Sequence, residues 1–159
     1  MTAKVSKKNS FSTLSYQVLW LGSGIRLPRT IPLGPDFMNN ARVFFLATVE
    51  GDQPRVRVYG ASLYFENSLY IMAMNHTNTI DQLKANPKAE IAAFKGKQLR
   101  LTCKLVEDKR QEVKEAMVAK MPSLKAMGGD NYENCIMLKV TEATATIADM
   151  AGHSDTYTF

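Results

Sequence analysis

The sequence predicts a mainly β fold, a small barrel of short antiparallel strands with helices at its ends. Three observations support this prediction. Short runs rich in β-branched and aromatic residues recur along the chain, clusters of turn-forming residues separate them, and only two segments change to helical spacing. The 159 residues are enough for one domain with a substantial hydrophobic core.

The first two predicted strands form a hairpin whose second strand carries arginines. Residues 43–49 and 55–62 are β-type runs, and the polar segment 50–54 between them is typical of a turn. In the second run, two valines alternate with Arg55, Arg57 and Tyr59, so the two groups lie on opposite faces.

An arginine on a strand suits a particular kind of ligand. Its planar fork is pre-aimed and always charged, which makes Arg57 a suitable receptor for a phosphate or a carboxylate. The alternative that the residues leave open is a strand with a solvated basic face.

The later strands share one pattern, β-type residues bounded by turn signals. They are predicted at residues 63–65, 69–74, 89–94, 98–106, 135–140 and 143–148. Tight turns at 66–68 and 95–97 indicate antiparallel hairpins, and a Gly128-Gly129 loop precedes the last two strands.

The first predicted helix spans residues 79–85 and follows a polar loop. Thr77 or Asn78 would cap its N-terminus, with Asp81 close to the capping-box position. The dipeptide Asn86-Pro87 would end it, because the residue before a proline disfavours helical geometry.

The second predicted helix begins at Asp108 and reaches about Met121. Val113 and Met117 recur there at helical spacing, and Pro122 ends the pattern. The methionines of this helix are interpreted as core-filling residues and not as part of a cofactor site.

Composition and charge argue against several classes of function. The net charge is +5, but its clearest cluster, five basic residues without acidic neighbours, lies in the first 30 residues. No basic stripe with interleaved aromatics follows, so nucleic-acid binding is not implied.

No apolar run has membrane-spanning length, so a membrane span is not expected. The cysteine and histidine spacings resemble no zinc or haem motif, so a metal site is not expected either.

Domain organisation and compartment follow from two further features. Residues 1–35 lack clear periodicity and contain several prolines, which predicts an N-terminal arm or tail before a folded domain at 36–159. A second interpretation is that this segment precedes the natural start, with Met38 as the initiator. Cys103 and Cys135 lie in separate β-type runs and are expected as buried free thiols, which is typical of a cytoplasmic protein.

Three segments of the predicted domain carry a family resemblance. They read LATVEGDQPRVRVYGA, LYIMAMNHTNTIDQLKANPKAEIAAF and GKQLRLTCKLVEDKRQEVKEAM. In this order they resemble the pyridoxamine 5′-phosphate oxidase-like family of FMN-binding split barrels, from about Arg42 to the C-terminus. The resemblance implies a six-stranded antiparallel Greek-key barrel with flanking helices. It also implies a homodimer with one FMN in each of two clefts between the subunits.

Matched residue by residue, the resemblance implies a flavin site that begins on the second strand. Arg57 would reach the flavin and its phosphate. Val58, Tyr59 and Ser62 would follow it beside the isoalloxazine ring, where backbone groups can bond the polar edge of the ring.

The rest of the implied site lies on the next strand, a loop and a partner strand. Met72 and Ala73 would support the ribityl chain. The segment Thr77-Asn78-Thr79 would receive the phosphate at a helix N-terminus, where free N–H groups and the macrodipole favour an anion. Gln98 would contact the flavin from the partner subunit.

Two departures from the family pattern bear on function. The phosphate loop lacks the Lys or Arg of many relatives, which leaves Arg57, N–H groups and hydroxyls to hold the phosphate. The C-terminal segment with Arg and Trp that true pyridoxamine phosphate oxidases use for substrate has no counterpart, since the only tryptophan is Trp20. The resemblance therefore implies a different enzyme of the same family.

The function implied is that of an FMN-dependent oxidoreductase acting on a small molecule. A reductase that uses NAD(P)H or another donor is favoured, because the sequence offers no compelling acid or base and His76 is interpreted as a loop histidine. Two alternatives stay open. One is a flavin-binding protein without turnover, used for storage or sensing. The other is a split barrel that binds haem or a deazaflavin.

Overall fold

The computed structural model describes residues 37, 38, 40–128 and 133–159. The predicted arm at residues 1–35 lies outside this part, so its prediction is not tested. The elements are β1 (Phe44–Glu50), β2 (Gln53–Tyr59), β3 (Ser62–Phe65), β4 (Ser68–Met74), α1 (Asn78–Ala85), β5 (Lys88–Lys95), β6 (Lys97–Asp108), α2 (Gln111–Lys120), α3 (Ser123–Gly128), β7 (Cys135–Ala148) and β8 (Ser154–Thr158).

The strands form one antiparallel sheet. Their order is β2-β1-β5-β6-β7-β4-β3, and β8 pairs with the second half of β7. The edge strands β2 and β3 share no ladder in the described residues, so the sheet is open at that point. This confirms the mainly β fold with a few helices, although the described residues form eight strands where the resemblance implied a six-stranded barrel.

The β1–β2 hairpin is tighter than predicted. Its ladder continues to Glu50 opposite Gln53, so the connection is only Gly51-Asp52. Gly51 has φ +64°, a left-handed conformation that glycine adopts without steric cost. Pro54 belongs to β2, where an edge position tolerates the missing N–H.

The alternation predicted for β2 is confirmed, and the solvent lies on the valine side. Val56 and Val58 are 63% and 64% exposed. Arg57 is half-buried on the opposite face, and its ladder neighbour Leu46 is fully buried. Arg57 therefore turns toward the core, which excludes a fully solvated basic face.

The larger apolar cluster joins the sheet to α1. Leu46, Ile91 and Leu101 are buried in the central strands, and Ile80 and Leu83 of α1 pack into the same cluster. Burial of a large aliphatic side chain contributes about 1.5–3 kcal/mol. This packing fixes α1 against the face of the sheet that carries Arg57.

The smaller cluster lies beneath α2. Val113 and Met117 are fully buried one helical turn apart, and they pack with Leu63, Tyr70 and Met137. The prediction that the methionines of this helix fill the core is confirmed for Met117.

Neither cysteine forms a disulfide and both are buried, as predicted. Burial, aided by the charge of Glu90, raises the pKa of Cys103 to about 12. A thiol with so high a pKa is a poor nucleophile, so Cys103 is a packing residue.

Several element boundaries differ from the prediction. Asp108 was expected to start a helix, but it ends β6 opposite Met137, and α2 begins at Gln111. The strands predicted at 135–140 and 143–148 are one continuous strand, β7. Helix α3 and strand β8 were not predicted.

Asp108 instead organises a polar cluster at the junction of β6, α2 and the β3–β4 turn. Arg110 binds Asp108 at 3.0 Å and Glu66 at 2.7 Å, and it donates to the hydroxyl of Tyr70 at 2.8 Å. The Tyr70 hydroxyl in turn donates to Asp108 at 3.1 Å. These bonds tie the β3–β4 hairpin to the start of α2.

The Asp108 cluster predicts an acid-sensitive contribution to stability. Hydrogen bonding from Arg110 lowers the pKa of Asp108 below its usual value. Because the folded pKa lies below the unfolded one, this stabilisation is present above about pH 4 and is lost as the pH falls through the folded pKa. We expect the thermal midpoint to fall less steeply below about pH 4 in Asp108→Asn than in the wild type. Melting curves followed by circular dichroism test this, with Asp52→Asn in an exposed turn as the control, and equal slopes would contradict it.

Candidate functional site

The Arg57 side chain reaches from β2 across β1 to α1. Its Nη1 donates to the Thr48 hydroxyl, and its Nη2 donates to Oε1 of Gln82. The Thr48 hydroxyl itself donates to the same Gln82 oxygen at 2.7 Å. Thr48 and Gln82 are 2% and 5% exposed, so both ends of this bridge are fixed in the protein interior.

Arg57 forms no ion pair within the described part of the chain. The nearest carboxylate on the hairpin, Glu50, pairs with Arg55 at 2.6 Å. Hydrogen bonding and charge from Arg55, and a further hydrogen bond from Gln82, lower the pKa of Glu50. Glu50 is therefore ionised and paired with Arg55. The charge of Arg57 has no directly bonded carboxylate in the described residues.

The N-terminus of α1 lies close to this arginine. Gln82 follows Asn78 by four residues, which places the two on one helix face about 6 Å apart along the axis. The Arg57 guanidinium, bound to Gln82, thus lies about one turn below the first residue of α1.

Side-chain capping of α1 was predicted and is wrong. Thr77 occupies the N-cap position, but its hydroxyl donates to the Met74 carbonyl at 3.0 Å and makes no capping bond. Its carbonyl accepts from the N–H groups of Ile80 and Asp81. The earlier N–H groups of a helix have no intrahelical acceptor, so this end suits an anion.

The loop before α1 is held by local bonds. His76 has φ +55°, a left-handed conformation in which histidine is over-represented, and its N–H donates to Oδ1 of Asn75 at 2.9 Å. This turn directs the chain from β4 into the helix start that contains Thr77, Asn78 and Thr79.

The other predicted site residues lie at three separate places. Val58 and Gln98 are exposed on the outer face of the sheet. Tyr59 stacks on Phe44 with ring centroids 6.0 Å apart, and Ala73 is buried in the larger cluster.

Met72 lies on the α2 side of the sheet, whereas Ser62 pairs with Ile71 of β4 and lies on the face of the larger cluster. Ser62 is buried, and its carbonyl accepts a bond of 2.6 Å from Lys120, while Met72 packs partly buried against the smaller cluster. Among the described contacts, Arg57 is linked through Gln82 to the helix that begins at Asn78, and none joins it directly to another of the ten predicted residues.

Thr48 and Gln82 were missed in the sequence analysis. Thr48 follows the buried Phe44 and Leu46 at alternate positions of β1, and Gln82 lies between the buried residues of α1. A polar side chain at a core-facing position needs a buried hydrogen-bond partner. Such a position can be recognised in the sequence, because a polar residue there interrupts the apolar pattern of its strand or helix.

A cavity of about 290 Å³ lies beside this site but does not suit an anion. It is lined by Val49, Glu50, Gly51, Asn78, Asp81, Gln82 and Ala85. The two carboxylates of the lining would repel a phosphate, and Arg57 is not part of it. The groups that suit an anion are thus Arg57 and the N–H groups at the start of α1, where Asn78 also borders the cavity.

No helix of the described residues is long and apolar enough to cross a membrane.

Comparison with known proteins agrees with this architecture. The family model for pyridoxamine 5′-phosphate oxidase matches residues 35–146. A crystal structure of a NimC/NimA family protein from Clostridium acetobutylicum is 39% identical with a TM-score of 0.73, over 78% of this chain and 88% of that chain. No curated protein matches this chain.

Two more distant structures share the fold. One is a pyridoxamine 5′-phosphate oxidase-related, FMN-binding protein from Nostoc punctiforme, 16% identical over 79% of this chain and 90% of that chain, with a TM-score of 0.52. The other is a heme binding protein from Mycobacterium smegmatis, 14% identical over 84% of this chain and 60% of that chain, with a TM-score of 0.60. The family model and the 39% identical structure together show that the chain belongs to the pyridoxamine 5′-phosphate oxidase-like family of split barrels.

Proposed function

We propose that this protein binds FMN and uses it as an oxidoreductase acting on a small molecule. The observation that carries the proposal is the un-neutralised Arg57, held about one helical turn from the open N-terminus of α1. An arginine fork and a helix start are two independent receptors for a phosphate.

The donor set of this chain fits an FMN phosphate. Arg57 supplies the full charge that the loop itself lacks, and the first N–H groups of α1 supply neutral donors. Charged hydrogen bonds contribute about 1.5–3 kcal/mol each. At the same helix end Asn78 is exposed and offers a further polar group, whereas Thr79 is buried and the Thr77 hydroxyl already donates to the Met74 carbonyl.

The outer face of the sheet supports a homodimer. Five large apolar side chains there are 47–64% exposed, namely Val43, Phe45, Val56, Val58 and Phe94. The ladders place Phe45 opposite both Val58 and Ala92, so the side chains form one contiguous patch, here called the outer apolar face. Contiguous exposed apolar surface of this kind marks an interaction site, and a second copy would cover it.

The outer apolar face also accounts for the positions of two predicted site residues, Val58 and Gln98. Gln98 lies opposite Phe94 at the border of this face, and Val58 lies within it. In a dimer through this face, Gln98 of one subunit would approach the flavin site of the other.

The reaction proposed is electron transfer through the flavin. Bound flavin supplies two-electron chemistry at its ring, and the residues of this chain would bind the phosphate, orient the ring and exclude water. Glu50, the carboxylate nearest to Arg57 on the hairpin, is ionised and paired, so it is no proton donor. A reductase that takes electrons from NAD(P)H or another small donor therefore fits this site best. The two free thiols support a cytoplasmic location.

We expect the purified protein to carry FMN or to bind it when the cofactor is added. Absorbance spectra and mass identification of the molecule released on denaturation test the binding. Anaerobic mixing with NAD(P)H tests the electron donor. Bleaching of the flavin band identifies a reductase, whereas a bound flavin that no nicotinamide or small reductant bleaches identifies a passive binder. A protein that neither carries nor binds FMN contradicts the proposal.

Haem is the second candidate ligand. The Mycobacterium smegmatis structure of the same fold is named as a heme binding protein, which favours this alternative. A Soret band in place of the flavin bands would identify haem, and the released mass would identify a deazaflavin.

A further inference from the structure

All hydrogen-bond acceptors around Arg57 in the described residues are uncharged. They are the Thr48 hydroxyl, the Gln82 amide oxygen and the Arg55 carbonyl. A partly buried arginine is commonly balanced by a carboxylate. Here the Gln82 oxygen occupies the place that a carboxylate oxygen would take.

Gln82 is itself held in one orientation. Its oxygen accepts from both the Thr48 hydroxyl and Arg57. An amide has one oxygen and one NH2 group, and here the oxygen faces Arg57. The nearby Glu50 carboxylate acts on Arg57 only through space, because its ion pair is formed with Arg55.

These contacts occupy one end of the guanidinium. Two N–H groups of Nη1 and one of Nη2 account for the bonds to Thr48, Arg55 and Gln82. The remaining donors, Nε–H and the second Nη2–H, have no acceptor in the described part of the chain and lie along one edge. Such an edge binds a phosphate through two parallel hydrogen bonds.

We propose that Gln82, supported by Thr48, is a positioning residue that holds Arg57 without neutralising it, so that the guanidinium keeps its full charge for the phosphate of the ligand. This inference rests on the FMN site proposed above. It explains how the site can work without a cation in the loop before α1: a neutral amide holds Arg57 in place without acting as its counter-ion.

The test is to introduce a negative charge at residue 82, which contacts Arg57. Gln82→Glu keeps the size and the acceptor but pairs Arg57 with a carboxylate. We expect FMN affinity to fall by about 10-fold or more, and riboflavin affinity, which involves no phosphate, to stay within about twofold. Titration of each flavin by fluorescence measures both.

A second variant and a salt series separate positioning from structure. Gln82→Met removes the acceptor and should weaken FMN, again with little effect on riboflavin. Rising ionic strength should weaken FMN binding in the wild type and have less effect in Gln82→Glu, because the charge available to the phosphate is reduced. Gln53→Glu, the same change on the exposed β1–β2 hairpin, is the matched control and should bind like the wild type.

The outcomes distinguish this inference from the function on which it rests. Suppose that the wild type binds FMN. If Gln82→Glu then binds FMN with unchanged affinity, or if both variants lose FMN and riboflavin affinity equally, the positioning role alone is overturned. Absence of FMN binding in the wild type would overturn the proposed function and this inference with it.

Discussion

Replacing Arg57 with methionine is expected to weaken FMN binding by about 2–3 kcal/mol, or roughly 30- to 150-fold in Kd. Methionine keeps much of the aliphatic length but removes the charge and every N–H donor. The fold should persist, because Thr48 and Gln82 still bond to each other at 2.7 Å. Fluorescence titration of FMN gives the affinity, and a thermal melt checks the fold.

The matched control for this variant is Lys104→Met, which changes the net charge by the same amount. Lys104 lies on β6 and pairs with Glu142 at 2.6 Å, outside the proposed site. An equal loss of affinity in both variants would show that net charge matters and that Arg57 has no specific role. Tight FMN binding by Arg57→Met would remove Arg57 from the site.

The elements of this fold were largely predictable because their signals are local. The alternation of β2 and the spacing of Val113 and Met117 can be read from a few consecutive residues. Helix α1 was placed within one residue at its start, because a polar loop and Asn86-Pro87 delimit it.

The errors in the element boundaries arise from contacts distant in sequence. Thr141 and Glu142 suggested a turn, and Glu142 does adopt φ +48°. The strand nevertheless continues, because a register shift between Thr102 and Lys104 of β6 accommodates the irregularity. Strand β8 has few apolar residues, and only its ladder with β7 makes it a strand.

The candidate site was predictable in part for the same reason. Arg57 could be singled out from the pattern of its own strand. Its partners could not be identified, since Thr48 and Gln82 are 34 positions apart and meet only when α1 packs on β1. Which side of β2 faces solvent was equally hidden, because valine usually faces the core, whereas Val56 and Val58 are exposed here.

The second prediction with a large expected effect concerns a substitution on the outer apolar face. Val56→Glu is expected to convert the proposed dimer into a monomer and to abolish FMN binding. Val56 is 63% exposed in the single chain, so the new carboxylate costs little there. At a subunit interface, burying an unpaired carboxylate costs several kcal/mol, and both subunits carry the change. Light scattering coupled to gel filtration measures the mass, and flavin absorbance is read on the same peak.

Val56 is a sharper choice than Val58, because it is not among the predicted flavin contacts and its side chain points away from Arg57. Loss of FMN from Val56→Glu would therefore report on the second subunit and not on the arginine. Val106→Glu is the control, since Val106 is 48% exposed on β6 but does not belong to the outer apolar face. If Val106→Glu is monomeric and Val56→Glu is dimeric, the subunit interface lies outside the outer apolar face. A monomeric Val56→Glu that still binds FMN tightly would show that one chain completes the site, against the proposal that the flavin lies between two.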